Sequence, residues 1–157
     1  MDIRRAEHDE IAAAISVWAT ANRRPPSGGH ADRLRSWSEQ DGARLFIVVD
    51  DESRVVGTLL CLLGREADGA GDVVPGLRHI TGLAVQPEYQ GAGLGRRLLR
   101  ATIADARSDG ITRVTLWTHT HNRRAIHLLE SLGFQPTGRT MLDEHGAMLV
   151  LLELLVI

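Results

Sequence analysis

Residues 83–99 read LAVQPEYQGAGLGRRLL. Gly91, Gly93 and Gly95 occupy alternate positions, and Arg96 and Arg97 follow. An apolar run leads into the glycines and an amphipathic run leaves them. That order describes a strand, a turn and a helix start. The first amides of a helix lack intrahelical partners and carry the positive end of its dipole. Glycines let an anion approach the backbone with no side chain between. The stretch therefore suits a phosphate, although a plain glycine turn with no ligand explains the glycines alone equally well.

Counting excludes two phosphate loops. A G-x-x-x-x-G-K-[ST] loop needs glycine at its sixth position, which from Gly91 is Arg96. A dinucleotide fingerprint, G-x-G-x-x-G, fails at the same residue. No clear acidic residue stands about 20 positions on, at the end of a second strand, to take a ribose.

Outward from this loop the elements follow from hydrophobic period. Residues 2–6 predict a short strand. Ile11, Ala14, Ile15 and Trp18 recur at helical spacing within 9–20. NRRPPSGG (22–29) ends that helix, because its prolines and glycines cannot continue it. Leu34 and Trp37 mark a second helix over 30–40, and both Trp18 and Trp37 are expected in the core. Residues 44–50 and 54–63 flank DDES and predict a hairpin. Residues 64–78 carry four glycines and a proline and are expected to form a long loop. A strand is predicted at 79–85. A helix over 94–110 turns Leu98, Leu99, Thr102, Ile103 and Ala106 inward and ends at Gly110. A strand follows at 111–117, then a helix over 122–134 with Ala125, Ile126, Leu129 and Leu132 on one side. Gly133 and Phe134 fit a Schellman end to it. Strands around 135–142 and 147–156 complete the chain. The order β-α-α-β-β-β-α-β-α-β-β implies an α/β fold, a mixed sheet with helices on its faces.

The 157 residues suit a single domain over 1–157. Apolar residues make up 43%, enough for a core. A net charge of −2 argues against a nucleic-acid partner, which needs a basic surplus, and leans weakly toward a cationic acceptor. The single cysteine, Cys61, lies in an apolar run, so it is expected to be a buried small hydrophobe. The longest apolar run, AMLVLLELLVI, is broken by Glu153 and too short to span a bilayer. The N-terminal stretch carries no apolar signal segment. No membrane partner and a cytoplasmic location are the expectations. The apolar last strand is a candidate edge for a second copy, which makes a homodimer a further expectation.

Two motifs together resemble one family. LAVQPEYQGAGLGRRLL resembles the acetyl-coenzyme A loop of the GNAT superfamily of N-acetyltransferases. The family's Q/R-x-x-G-x-G/A pattern is met by Gln90, Gly93 and Gly95, with PEYQG as a typical lead-in. The family's second motif, N-x-x-A with G-F further on, is matched by Asn122, Ala125, Gly133 and Phe134. The element order agrees over essentially the whole chain. The resemblance implies a mostly antiparallel central sheet of about seven strands, splayed in the middle and flanked by about four helices. It implies transfer of an acetyl group from acetyl-CoA to a primary amine, small-molecule or peptide, by direct attack in a ternary complex, with no metal.

The resemblance also implies roles. Backbone groups of Leu83, Ala84 and Val85 would hold the pantetheine arm, and the Val85 amide would polarise the acetyl carbonyl. Gln90, Gly91, Ala92, Gly93, Leu94, Gly95 and Arg96 would cradle the pyrophosphate. Asn122 would contact the cofactor near its acyl end, or serve as a helix N-cap, or both. His79, six residues before Val85, stands where several family members place a base. In an extended strand it shares a face with Thr81, Leu83 and Val85, and neighbouring Arg78 is expected to favour its neutral form. A histidine bonded only to a neighbouring strand fits His79 as well. The family's usual proton donor is a tyrosine seven residues after the asparagine; here that residue is Leu129. Leucine cannot donate, so a non-catalytic acyl-CoA-binding module stands as the alternative. His119 and His121 lie two apart and lack a convincing third metal ligand.

Overall fold

The computed structural model describes residues 1–156. Strand β1 (Asp2–Arg5) leads through a 3-10 turn into helix α1 (Ile11–Ala21) and helix α2 (Gly29–Ser38). Strands β2 (Arg44–Val49), β3 (Val55–Arg65) and β4 (Val73–Val85) follow, then α3 (Leu94–Ser108), β5 (Arg113–His119), α4 (Arg123–Ser131), β6 (Gln135–Leu142) and β7 (Met148–Leu155). The strands form an open seven-stranded sheet in the order β1-β2-β3-β4-β5-β7-β6. Only β4 and β5 run parallel among the pairings with a described register. This is the mixed, mostly antiparallel α/β sheet with four helices that the resemblance implies. The chain divides into two compact units, Met1–Leu63 with Thr81–Ala104, and Gly64–Ile80 with Asp105 onward. Strands β3 and β4 and helix α3 each pass from one unit into the other.

In the first unit β2 pairs antiparallel with β1 and β3, with a register shift between Val48 and Val49. Phe46, Ile47, Val48, Leu59 and Cys61 are buried, so Cys61 is the small hydrophobe expected. Gly57 turns toward α3, where a Cβ would lie 3.4 Å from Leu98. Ile15, Ala31, Leu34 and Leu60 form a second cluster beneath α1 and α2. Trp18 and Trp37 pack against this cluster but are only half-buried, so neither is a core residue in the full sense expected. Each ring is too large to be enclosed by helices this short.

In the second unit β4 pairs with β5 from Leu77↔Arg113 to Ile80↔Leu116. Strand β7 pairs with β5 along its length and with β6 on its other side. The expectation that the last strand offers a free edge is therefore wrong: β7 is interior. The edge is β6, exposed throughout and interrupted by Pro136 and Gly138, residues that blunt strand pairing. The expected loop over 64–78 is also corrected. It is mostly strand, the end of β3 and the start of β4, joined by a short turn closed by Glu66 N–H to Asp72 O at 2.9 Å. Helices α3 and α4 both end in Schellman geometry. Ile111 N–H reaches Ala106 O, and Phe134 N–H reaches Leu129 O, with Gly110 and Gly133 left-handed.

Candidate active site

In the first unit, the strand end, turn and helix start are all present. Gln90, Gly91, Ala92 and Gly93 are exposed, whereas Leu94 is buried and anchors the start of α3. Gly91 and Gly93 have φ of 85° and 82°, which only glycine adopts without strain. A Cβ at Gly93 would meet nothing within 4 Å, so its surroundings are open. Arg97 N–H bonds Gly93 O at 3.1 Å, marking the first helical turn. The amides of Leu94, Gly95 and Arg96 come before it, and such first-turn amides have no carbonyl four residues back to bond.

Two side chains fix the approach to this loop. Gln90 Nε2 donates to Val85 O at 3.1 Å, tying the loop to the strand end. Tyr89 donates its hydroxyl to Asp50 at 3.0 Å. Asp50 also accepts from the backbone and guanidinium of Arg54, and the Arg54 backbone bond leads in holding its carboxyl at about 2. Donation to that carboxylate pushes the Tyr89 hydroxyl up, so the chain's single tyrosine is an anchor and a poor acid. Gln86 N–H bonds Val56 O at 2.9 Å. Successive amides of a strand point to opposite edges, so the Val85 and Leu83 amides face away from β3.

In the second unit, His79 is half-buried, with Nδ1 2.8 Å from Thr115 Oγ1, its register partner on β5. Burial lowers its pKa below 6.5, and the carboxylate of Asp68 opposes that shift. The expected neutral tendency holds, but its cause is different. Arg78 is buried at 1% exposure and its guanidinium is neutralised, Nη1 to Asp105 at 2.8 Å and Nη2 to Asp109 at 2.7 Å. Asp68, in turn, is held by both carboxylate oxygens to Arg139 at 3.0 Å.

Asn122 is the N-cap of α4, its Oδ1 accepting from Ala125 N–H at 3.2 Å. Leu129 is buried at 2% exposure and carries no polar atom on its side chain. The sequence missed one partner nearby. His119 Nε2 lies 2.8 Å from Asp143 Oδ2, and the His119 and His121 rings stack with centroids 5.0 Å apart. Asp143 also accepts from the His145 and Ala147 amides in the β6–β7 turn, and these bonds, that with His119 first, hold its carboxyl at about 2. No local spacing could reveal this pair, since the residues lie 24 apart.

Comparison with known proteins agrees with the loop. Residues 10–134 match the acetyltransferase (GNAT) family. The chain therefore belongs to the GNAT family of acetyltransferases. Among relatives, the mycothiol acetyltransferase of Kocuria rhizophila is 36% identical over 101 residues, 64% of this chain and 32% of that protein. The chain thus spans about a third of that relative's length. The peptidyl-lysine N-acetyltransferase YjaB of Salmonella typhimurium is 26% identical over 99% of this chain and 97% of its own. Among solved structures, yncA from Salmonella typhimurium with its cofactor acetyl-CoA superposes with a TM-score of 0.78. It is 23% identical and the match covers 100% of this chain and 94% of that one. Among the described residues no helix is long and apolar enough to cross a membrane.

Proposed function

We propose that the chain is an acetyl-CoA-dependent N-acetyltransferase, one domain over 1–157, in which a primary amine attacks the thioester directly within a ternary complex. The observation that carries this reading is the loop from Gln90 to Arg96. Gln90 to Gly93 are exposed, the loop is open at Gly93, and it runs into the first turn of a helix of 15 residues. These features fit a pyrophosphate, which needs amides, a positive dipole end and room. The names of the relatives favour an enzyme over a binding module.

The bound cofactor supplies an activated acetyl thioester. The amides from Gly91 to Arg96, with the Arg96 guanidinium, hold the pyrophosphate. The backbone of Leu83, Ala84 and Val85 lies along the pantetheine arm. The Val85 N–H would donate to the thioester carbonyl and stabilise the charge that develops there. Asn122 keeps its cap and stands near the acyl end. His79 accepts the proton that the substrate ammonium must lose, through water, in the tautomer that donates Nδ1–H to Thr115 and leaves the Nε2 lone pair. Leu129 gives no proton to the leaving group. A thiol has a pKa near 8.5, so the leaving group would need no protein acid at Leu129 and solvent would serve. The acceptor is a small-molecule or peptide amine and the setting cytoplasmic, with no nucleic-acid, membrane or metal partner. A thiol-release assay across a panel of amines tests the transfer. Release above hydrolysis is the expected result, and none with any amine would support the binding module instead.

A further inference from the structure

Three alternate glycines suit the loop from Gln90 to Arg96 to an anion, but they also give its backbone more freedom to lose when a ligand binds. That loss is smaller if the loop is already held in the unliganded chain. The residues leading into it are held twice within the first unit. Gln86 N–H bonds Val56 O at 2.9 Å. Tyr89, the last residue of a 3-10 turn over Pro87–Tyr89 and the residue next to Gln90, donates its hydroxyl to Asp50 Oδ2 at 3.0 Å. Asp50 stands in the turn between β2 and β3, 39 residues earlier. Its side chain is 6% exposed, and its two oxygens face different partners. Oδ1 accepts from the Glu52 and Arg54 amides, both at 2.9 Å, and closes the β2–β3 turn. Oδ2 accepts from Arg54 Nε at 2.9 Å and from Tyr89. A bond to an ionised acceptor is stronger than a neutral one, which suits Asp50 to restrain a mobile neighbour.

We propose that Asp50 and Tyr89 are positioning residues for the cofactor: their hydrogen bond holds the 90–96 loop in the form that takes the pyrophosphate, so a carboxylate in the β2–β3 turn sets coenzyme A affinity. The inference rests on the acetyltransferase reading. Both side chains act through the backbone of the loop and not by touching the cofactor. Their effect is therefore confined to ligands that carry the pyrophosphate.

Three variants of the whole chain test it. Tyr89→Phe removes the hydroxyl and leaves Asp50 bonded to Arg54. Asp50→Ser keeps a short hydroxyl for the turn amides, one that does not reach Tyr89. The third combines the two. In calorimetry each single variant should bind coenzyme A about fivefold more weakly than wild type, the factor expected for one hydrogen bond. The double variant should lose no more than either, because both changes remove the same bond. Binding of pantetheine, which lacks the pyrophosphate, should change less than about twofold by ligand-observed NMR. In unliganded Tyr89→Phe, amide hydrogen exchange should quicken over 90–96 and stay unchanged in β2 and β3. Tyr89→Phe carries the test alone if Asp50→Ser does not fold. Unchanged coenzyme A affinity in folded Tyr89→Phe, losses that add in the double variant, or pantetheine weakened as much as coenzyme A overturns the inference while the acetyltransferase reading stands. Absence of coenzyme A binding to wild type overturns both.

Discussion

In the proposed transfer His79 is the proton acceptor, and the structure holds it beside Thr115. Thr115 meets one ring nitrogen, and burial disfavours the imidazolium. Because burial penalises the imidazolium, the folded chain binds this proton less readily than the unfolded chain. The stability it contributes is complete above pH 6.5 and is lost as pH falls through the lowered folded value. Asp50, Asp143 and Glu10, held at about 2, titrate far below that window. Thermal melts should therefore show wild type losing stability as pH falls below about 6.5, with His79→Gln flatter over the same range. In kinetics, His79→Gln should lower kcat by about 10²-fold and remove the rising pH limb, with acetyl-CoA affinity unchanged. Parallel melting slopes and an unaltered pH profile would take His79 out of the account. Arg78 shows what sequence adjacency hides. It neighbours His79 in the chain, yet its charge is spent on Asp105 and Asp109, 27 and 31 residues on.

At the scale of elements, the sequence was most readable where one backbone requirement selects one residue. Gly91, Gly93, Gly110 and Gly133 all adopt positive φ, and the turn or helix end at each was legible. The same rule misled over 64–78. Gly64 is there because the side chain of Leu77 crosses it, where a Cβ would lie 2.2 Å from Leu77 Cγ. Gly76, at φ 77°, lends its carbonyl to the Thr112 hydroxyl. These are glycines inside strands, and their spacing mimics a loop. Asn122 stands between the two cases. Its cap was foreseen and is present; the proposed cofactor contact is separable from the cap by substitution. Asn122→Ser keeps a capping oxygen and should hold stability within a few tenths of a kcal/mol, whereas Asn122→Ala should lose about 1 kcal/mol in urea titration. If the residue also meets the cofactor, Asn122→Ser should weaken acetyl-CoA binding; unchanged affinity would leave it a cap alone.

For the whole molecule, fold class and family membership were readable because they depend on element order and on two motifs. What stayed hidden were long-range pairings: Arg78 with two aspartates, His119 with Asp143, and the interior place of β7, which only strand order settles. The proposed transfer depends above all on the loop from Gln90 to Arg96 holding the pyrophosphate of acetyl-CoA. Calorimetry with acetyl-CoA tests it most directly, comparing wild type, Gly93→Glu and the left-handed-tolerant control Gly93→Asn, each checked for folding by circular dichroism. One equivalent should bind to wild type and, more weakly, to Gly93→Asn, and none to folded Gly93→Glu, whose carboxylate would stand against the phosphates. Absence of binding to wild type, or equal affinity in folded Gly93→Glu, would contradict the claim.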